Sequence, residues 1–427
     1  MHLALKSAMS RIPYTNKVGE TLSSIADPAA AYSLRALGGG DSMVARVRRS
    51  SDDTEKDFTA SDMGAALEDW VNEDVVTYQS DFSSGTDGWG GSGDEDGVSV
   101  SQSSAGIGGQ SNTIIATLDS TNGVHSFWDD LDRYNGTGLF KIKFDVYIPS
   151  NQDINGVQLL VYSEGSNAFQ PILNPTLDSW NTYESNEFIR TAADSNRIFF
   201  YLTGENGRVF TGNGTDFAHF KNIEITQLTA DGHVVTWYDQ SGNGNNATQS
   251  TAGSQPKIVD AGVYLGELEF DGVDDRLTGA HNITSTYTIC SVQDDDASSG
   301  SYILDTGPAS NYGVNYGRTT GSQGSRILTL NHGGSPAVNA IGFLPSTTFL
   351  LTQTYNSTTI EAYVDGGSVG TDDQGYIASG TNLTIGSSGD GGARFNGSIS
   401  EIVIYNSDQS SNRAAIETNI NNHYDIY

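Results

Sequence analysis

The stretch FKIKFDVYI, residues 140–148, constrains the fold more than any other feature of this chain. Its apolar side chains recur at every second position, and mostly charged side chains fill the positions between them. Successive side chains of a strand point to opposite faces of a sheet, so this period of two predicts a strand with one buried and one solvated face. The predicted buried face consists of Phe140, Ile142, Phe144, Val146 and Ile148.

Similar short runs recur along most of the chain, with turn-rich segments between them. Examples are NTIIATLD, VQLLVYSE, RIFFYLTG, STYTICSVQ, TFLLTQTYN and SISEIVIYN. The 427 residues include 50 glycines, a composition that favours short strands and turns over long helices. We therefore predict an all-β protein with two antiparallel β-sandwich domains of jelly-roll type. A short amino-terminal arm and a carboxy-terminal helix complete the expected fold.

Helical patterns are few and short. The segment DMGAALEDWVN has apolar residues at helical spacing, and AAYSLRAL, which begins near Ala30, predicts a helical turn. Near the carboxy terminus, Ser407 or Asp408 is a candidate cap for a last helix. The predicted inner face of that helix consists of Ala414, Ile416 and Ile420.

The charge of the chain is large and uneven. Its formal net charge is −31, from 52 acidic and 21 basic residues. Phosphate backbones are repelled by such a charge, so nucleic acid is excluded as a partner. Residues 1–56 differ from the rest, because they hold eight Lys and Arg against six Asp and Glu, whereas residues 57–427 hold 13 against 46. We expect residues 1–56 to dock on other proteins while the remainder faces solvent.

The single cysteine and the first residues bear on the compartment. Cys290 lies in an alternating apolar run, which predicts a buried small side chain, and one cysteine excludes an intramolecular disulfide. The start, MHLALKSAMSRIPYTNK, lacks the apolar stretch of a signal peptide, and no apolar run is long enough to span a membrane. We therefore expect synthesis in the cytoplasm and no insertion into a membrane.

Residues 237–249, WYDQSGNGNNATQ, place oxygen-bearing side chains at alternate positions between glycines. One interpretation is a tight double turn in which the Asp, Ser and Asn side chains bond to the local backbone. A second is a calcium-assisted turn with Asp239 and Asn243 as ligands, and a third is a catalytic loop. The run DGVDD, residues 271–275, is another loop in which Asp274 is a candidate calcium ligand.

Aromatic residues among polar ones are the best indication of a ligand. Trp128 lies in HSFWDDLDRYNG, Tyr162 in VYSEG, and Trp180 and Tyr183 in LDSWNTYES. Sugar rings stack on such aromatic faces, while Asp, Asn and Gln side chains bond to their hydroxyl groups. We therefore predict that these four residues lie in loops and bind carbohydrate. The alternative interpretation is that Trp128 or Trp180 closes one end of a sandwich.

Three parts of the chain resemble known families. The segments AAYSLRAL, RVRRSSDD and VVTWYDQSGNGNNATQ resemble the catalytic β-sandwich domain of fungal-type α-L-arabinofuranosidase B, a signature also found in structural proteins of marine and cyanobacterial phages. The part from LEFDGVDDRL to NINNHY resembles the laminin G-like or concanavalin A-like fold. The middle, from SDFSSGTDGWGGSG to FKNIEITQ, is similar to jelly-roll carbohydrate-binding modules attached to such phage proteins.

The order of these parts implies a discontinuous domain. AYSLR and TWYDQSGNGN belong to one domain in the arabinofuranosidase family, yet the jelly-roll part separates them here. We therefore predict one laminin G-like or concanavalin A-like sandwich from residues 30–75 plus 231–427. Residues 76–230 would be an inserted jelly-roll domain, and residues 1–29 an anchoring arm.

The same resemblance implies a catalytic carboxylic acid after an IGG strand end. At that place this chain has Ser387 and Ser388, and the nearest acid is Asp390. The segment that best matches the strand of the family's nucleophile, RILTLNHGG, contains no carboxylate. We therefore expect the fold without the enzymatic activity. A glycoside hydrolase of arabinofuranosidase type stays an alternative function.

These observations favour a virion structural protein on the surface of a phage particle, as a tail fibre, adhesin or capsid decoration. Residues 1–56 would bind other virion proteins, and the sandwiches would bind host-surface polysaccharide. Repetition of the protein as a homo-oligomer on the particle would convert weak affinity into avidity. We expect it to be made in the host cytoplasm and released by lysis. Calcium is the cofactor that the sequence suggests, and a structural decoration protein without a ligand is a further alternative.

Overall fold

The computed structural model describes residues 21–427 apart from several short segments. The segments left out are residues 39, 91–96, 119–121, 131–137, 164–165, 191–196, 206, 282, 284–285, 296–300, 308–313, 321–325, 333–334, 342–346 and 374–381. Antiparallel strands dominate, and the α-helices of the described part are α1 Leu22–Ile25, α2 Ala65–Val71 and α3 Arg413–Tyr424. None of these helices has the length and hydropathy needed to cross a membrane. The predicted all-β class with a carboxy-terminal helix is confirmed.

The strands fall into three groups along the chain. The first group comprises β1 Ala30–Ser33, β2 Met43–Arg49 and β3 Glu55–Thr59. The second comprises β4 Val75–Ser80, β5 Val98–Ser103, β6 Thr113–Leu118, β7 Asn122–Asp130, β8 Gly138–Tyr147, β9 Gly156–Ser163, β10 Ser166–Leu173, β11 Trp180–Glu184, β12 Phe188–Arg190, β13 Arg197–Thr203, β14 Val209–Thr211 and β15 Phe217–Gln227. The third comprises β16 Gly232–Trp237, β17 Ala247–Thr248, β18 Lys257–Asp260, β19 Val263–Asp271, β20 Leu277–Ala280, β21 Tyr287–Asp295, β22 Ser301–Asp305, β23 Val314–Thr320, β24 Arg326–His332, β25 Ser335–Ile341, β26 Phe349–Tyr355, β27 Thr359–Val364, β28 Gly367–Asp373, β29 Asn382–Ile385 and β30 Asn396–Tyr405.

The second group forms two sheets that pack face to face. One is a five-stranded sheet with the order β10-β9-β13-β7-β14. The other is a seven-stranded sheet with the order β11-β8-β15-β6-β5, in which β12 pairs with β8 and β4 pairs with β15. The ring of Phe200 in β13 lies 4.7 Å from that of Phe144 in β8 and 5.1 Å from that of Phe220 in β15. The two sheets therefore enclose one aromatic core.

Strand β8 carries the alternation that the sequence predicted. All five side chains of the predicted inner face are buried. Lys143, between two of them, is exposed on the other face. Burial of an apolar side chain of this size contributes roughly 1.5–3 kcal/mol before the loss of conformational entropy is subtracted, so each of the five favours the predicted orientation of the strand.

The first and third groups of strands share one core. β1 pairs with β30 and β2 pairs with β16, all antiparallel. Tyr32 of β1 and Trp237 of β16 are fully buried there, with their ring centres 5.7 Å apart. The chain therefore leaves this core after α2 and returns to it with β16. The predicted boundaries of the domains stay a prediction.

One short helical prediction is confirmed and another is wrong. The segment DMGAALEDWVN contains α2, with Leu67 and Val71 buried. The segment AAYSLRAL, predicted to begin with a helical turn, instead begins with β1. Ala31 pairs with Val403 and Tyr32 pairs with Ile402, both in β30. This pairing takes the place of the local hydrogen bonds of a turn. Long-range pairing therefore overrides the local propensity of this segment.

Helix α3 begins later than the sequence suggested. Its first residue is Arg413, so neither Ser407 nor Asp408 caps it. Ile416 and Ile420 are buried as predicted, whereas Ala414 is exposed. The cluster beneath the helix also includes Cys290, which is buried as predicted, and Leu22 of α1.

A buried ion pair joins the segment after β1 to β30. Arg35 donates from Nε to Oε2 of Glu401 at 2.7 Å and from Nη2 to Oε1 at 2.9 Å. Burial opposes ionisation of Glu401, but the Arg35 guanidinium keeps the pKa of this carboxyl below its usual value. Part of the predicted docking segment 1–56 is thus built into the core, while residues 1–20 lie outside the described residues.

Candidate functional site

The four aromatic residues predicted to bind carbohydrate lie in strands. Trp128 lies in β7, Tyr162 in β9, and both Trp180 and Tyr183 in β11. Alternate residues of a strand face opposite sides of the sheet, so polar neighbours in the sequence do not require a loop. The prediction that these residues lie in loops is therefore wrong.

Trp128 and Tyr162 share the outer face of the five-stranded sheet. In the strand ladder Trp128 lies opposite Phe199 of β13, and Phe199 lies opposite Leu160 of β9. Tyr162 lies opposite Arg197, which precedes Phe199 by two residues and therefore shares its face. Adjacent residues of the same strands point inward and belong to the core.

Five rings on this outer face form a surface that we call the aromatic face. Its members are Trp128, Tyr162, Phe169, Phe199 and Tyr201. The ring centre of Phe199 lies 6.1 Å from that of Trp128 and 6.1 Å from that of Tyr201. Phe169 of β10 continues the row, with its ring centre 5.9 Å from that of Tyr201. The rings thus connect strands at both sides of β13.

The aromatic face is partly open to solvent, because Phe169 is exposed and its other four rings are half-buried. Phe169 is 40% exposed, and two further apolar residues of the same sheet face, Ile172 and Val124, are 42% and 38% exposed. Leu160 lies between Phe169 and Phe199 in the ladder and is only 2% exposed. An apolar surface of this kind, with aromatic rings at its centre, is typical of a binding site.

Two arginines lie over rings of the aromatic face. Cζ of Arg197 is 4.4 Å from the ring centre of Trp128. Cζ of Arg208 is 4.0 Å from the ring centre of Phe169 and 5.4 Å from that of Tyr201. A planar guanidinium attracts the electron-rich face of a ring, so these contacts hold two cationic groups at the surface.

Trp180 and Tyr183 lie on the other sheet and do not join the aromatic face. Trp180 donates from Nε1 to the carbonyl of Ile107 at 3.0 Å, and its ring centre lies 5.7 Å from that of Tyr147. Tyr183 packs against the core, 6.1 Å from Phe144, and burial raises the pKa of its hydroxyl. Of the four predicted residues, the structure brings together only Trp128 and Tyr162.

Sequence reasoning missed most of the aromatic face. Phe199 and Tyr201 lie in RIFFYLTG, a run with apolar residues at successive positions, which gives little sign of which side is solvated. One signal was present. Arg197, Phe199 and Tyr201 occupy alternate positions of one strand and so share a face, and the charge of Arg197 indicates that this face is solvated. Phe169 and Arg208 had no comparable signal, since their contacts join different strands.

The loop after β16 is held by its own side chains. Asp239 accepts hydrogen bonds at 2.9 Å from the backbone N–H of Ala31 through Oδ1 and from that of Asn245 through Oδ2. Asn243 and Asn245 donate to the carbonyl of Ala29 at 3.1 and 3.0 Å. These bonds fasten the loop to β1. Calcium binding by Asp239 and Asn243 would compete with this network.

Asp274, the third predicted calcium ligand, belongs to a separate acidic cluster. Carboxylate oxygens of Asp271, Asp274 and Asp275 lie within 4.8 Å of one another. Burial, with a further contribution from its two acidic neighbours, raises the pKa of Asp275 to about 7. Oxygen ligands of this kind suit a hard cation such as calcium. Asp239 is not a member of this cluster.

A further carboxylate lies near the place of the missing catalytic acid. Asp305 is fully buried and accepts hydrogen bonds at 2.8 Å from the backbone N–H of Gly307 through Oδ1 and of Gly389 through Oδ2. Burial, together with the charge of Asp390, raises the pKa of Asp305 to about 6. Asp390 is exposed and accepts a hydrogen bond from Ser388. The side chain of Asp305 therefore fixes the backbone of the loop that contains Gly389.

A family model described as the Concanavalin A-like lectin/glucanases superfamily matches residues 271–414. A search of curated protein sequences finds no match. One similar solved structure is the CBM22-1 xylan-binding domain from Paenibacillus barcinonensis Xyn10C, with 13% identity and a TM-score of 0.29 over 36% of this chain and 96% of that chain.

Two further solved structures are similar to parts of the chain. A GH54 α-L-arabinofuranosidase has 14% identity and a TM-score of 0.36 over 45% of this chain and 51% of that chain. A heptameric SAP-like pentraxin from Limulus polyphemus has 16% identity and a TM-score of 0.30 over 36% of this chain and 80% of that chain. The family match, together with the antiparallel strands observed there, gives the carboxy-terminal part of this protein a concanavalin A-like β-sandwich fold.

Proposed function

We propose that this protein binds polysaccharide through the aromatic face. The observation that carries the proposal is the row of contacting rings on the solvent side of a sheet whose other side is a packed core. One of these rings is exposed and the others are half-buried, and a contiguous apolar surface of this kind is typical of a binding site.

The chemistry of the face suits a sugar chain. One side of a sugar ring presents C–H groups, which stack on aromatic rings, while its hydroxyl groups bond to polar neighbours. Gln158 lies on the same outer face, opposite Tyr201 in the ladder, and is half-buried. Its Nε2 donates to the carbonyl of Gln170, so its Oε1 is the atom placed to accept from a sugar hydroxyl. Because the rings span several strands, successive sugar units of one chain would contact different rings. Several copies of the protein would raise a weak single-site affinity.

Substitution of the central rings tests this proposal. We expect Trp128→Ala and Phe199→Ala to weaken binding on a glycan array at least roughly tenfold, as loss of central aromatic contacts usually does. The matched control is Trp180→Ala, which removes the same kind of ring from the opposite sheet and should leave binding unchanged. Failure of a multimeric full-length chain to bind any glycan would instead favour a structural protein without a ligand.

We further propose that the protein is a surface component of a phage particle, as a tail fibre, adhesin or capsid decoration. Support comes from the resemblance of its parts to phage structural proteins and from the near-neutral charge of residues 1–56 in a strongly acidic chain. Its partners would be other virion proteins and host-surface polysaccharide. Labelling of purified particles with an antibody against the chain tests the location, and absence of the chain from particles would contradict it.

A second candidate function is hydrolysis of arabinose-containing polysaccharide, and we propose that the protein lacks it. The observation in favour of hydrolysis is the position of Asp305 beside Asp390. The observation against it is the complete burial of Asp305, whose two oxygens bond to backbone N–H groups. Release of arabinose from arabinoxylan, abolished by Asp390→Asn, would restore the hydrolase function.

A further inference from the structure

We propose that the ligand of the aromatic face is an acidic polysaccharide, whose carboxylate or sulfate groups bind Arg197 and Arg208. The inference rests on the proposed function, because it names the class of glycan that the same site takes. It depends on the ring contacts, the available N–H donors and the positions of these two arginines.

The two arginines of the aromatic face contact rings and not carboxylates. Five arginines elsewhere form ion pairs with carboxylates: Arg35 with Glu401, Arg46 with Asp57, Arg48 with Asp53, Arg49 with Asp52 and Glu73, and Arg413 with Glu417. Among the residues that the structure describes, Arg197 and Arg208 have no such partner and contact rings instead. Arg276 and Arg394 also have no carboxylate partner in the described part of the chain, and Arg394 donates to the carbonyl of Val273. Arg197 and Arg208 differ from these two because each lies over an aromatic ring.

The ring contacts of the two guanidiniums leave donors for a ligand. A guanidinium carries several N–H donors, and among the described residues neither Arg197 nor Arg208 has a hydrogen-bond partner that would use them. Arg197 is exposed and Arg208 is half-buried. A carboxylate or sulfate can therefore accept two parallel hydrogen bonds from either one. The sugar ring that bears the acidic group would then lie against the neighbouring aromatic ring.

The two arginines lie at opposite ends of the row of rings. Arg197 precedes Tyr201 by four residues in β13, which is about 13 Å along a strand. Arg208 lies over Tyr201 and Phe169. A polymer with an acidic group on repeated units would therefore reach both guanidiniums while its rings cover the surface between them. A neutral chain would cover the same rings and leave two cationic groups partly desolvated without an anionic partner.

The acidic surroundings do not prevent this contact. Asp130 lies opposite Arg197 in the ladder, and Glu205 lies in the turn before Arg208. The negative net charge is spread over residues 57–427, and physiological salt screens charges beyond about 8 Å. Hydrogen bonds from Arg197 and Arg208 therefore determine which glycan binds at the aromatic face. The acidic surface outside this face repels anionic glycans.

Binding of the full-length chain to immobilised polysaccharides tests the inference. The probes are polygalacturonate for carboxylates, chondroitin sulfate for sulfates together with carboxylates, and xylan as a neutral chain. We expect tighter binding to at least one acidic probe than to xylan. Arg197→Gln and Arg208→Gln should each weaken that binding about tenfold, and Arg197→Lys should weaken it less. Lys141→Gln, which removes a positive charge from the opposite sheet, is the matched control and should have no effect.

The possible results separate this inference from the proposed function. Equal binding to xylan and to the acidic probes, with no effect of the arginine substitutions but a loss in Trp128→Ala, would overturn the acidic class and leave glycan binding intact. No binding to any probe would overturn both. Unfolding curves of the arginine variants that match that of the unsubstituted chain would show that any loss of binding is not a loss of folding.

Discussion

The two outer faces of the β4–β15 sandwich differ, although one core lies between them. The outer face of the five-stranded sheet presents contacting rings with arginines stacked on them. The outer face of the seven-stranded sheet is occupied by polar pairs, such as Lys141 with Glu184 at 3.6 Å and Asp145 accepting from Thr182 at 2.6 Å. Its tryptophan, Trp180, already bonds to a backbone carbonyl. An aromatic residue outside the core is therefore not enough to indicate a binding site. The contacts that the residue makes with its neighbours distinguish Trp180 from the rings of the aromatic face.

The largest expected effect tests whether the two faces share one core. Phe200 contacts rings of both sheets, whereas Phe199, its neighbour in the chain, belongs to the aromatic face. We expect Phe200→Ala to lower the free energy of unfolding by about 3–5 kcal/mol, because it leaves a cavity between the sheets. Phe199→Ala should cost much less and mainly reduce glycan binding. Urea unfolding checks both, and equal losses of stability would contradict the assignment of the two faces.

A second expected effect is a dependence of stability on pH, which arises because His219 on the seven-stranded sheet is shielded from water. His219 is 4% exposed, and burial lowers its pKa to about 4. The unfolded chain binds a proton near pH 6.5, where folded His219 stays neutral, so stability is present at pH 7 and is lost as the pH falls toward 4. The expected loss at pH 5 is about 2 kcal/mol.

The free energy of unfolding at pH 7 and pH 5, for the unsubstituted chain and for His219→Gln, measures this contribution. The variant should lose less stability on acidification, because it has no proton to bind at this position. An ordinary pKa for His219 in an NMR titration would show that this face is open to water.

A third expected effect concerns the loop that covers Trp180. Gly108 has φ +59°, and a Cβ added there would lie 2.7 Å from the ring of Tyr147 and 3.1 Å from Nε1 of Trp180. We expect Gly108→Ala to lower the free energy of unfolding by about 1–2 kcal/mol, from the left-handed backbone and the close contact. Glycan binding should not change. A loss of binding without a loss of stability would move the binding site to this face.

The smallest expected effect is that of an exposed ion pair. Lys141→Gln breaks the contact with Glu184, whose side chain is 53% exposed. Such pairs contribute little, so we expect a change of about 0.5 kcal/mol or less in urea unfolding. The comparison with Arg197→Gln is informative, because that substitution should leave stability similarly unchanged while weakening binding. Equal binding by the two variants would remove the distinction between the two faces.

Much of the fold was predictable from local patterns. The alternation in β8 identified its buried face, because a strand in a one-sided sheet must place every second residue in the core. The last helix was also predictable, although its start was not, since Asn412 and not a predicted cap precedes its first residue. The predicted turn at Ala30 was wrong because its hydrogen bonds go to β30, and no local pattern records that partner.

The candidate site was predictable only in part. Trp128 and Tyr162 were identified from their polar surroundings, and the structure places both on the aromatic face. Trp180 had the same kind of surroundings, yet its indole bonds to Ile107 on a neighbouring loop. Arg197 and Arg208, which lie over rings of the aromatic face, were not predicted. A sequence does not show whether an arginine contacts a ring or a carboxylate.

The sequence by itself determined the class of the fold and the side of each alternating strand that is buried, because period and turn composition are local properties of a chain. Only the tertiary structure decided which rings from β7, β10 and β13 meet and which arginines lie over them. The physical reason is that strand order depends on pairing between distant segments, so the neighbours of a side chain across a sheet follow from the register of the whole sheet.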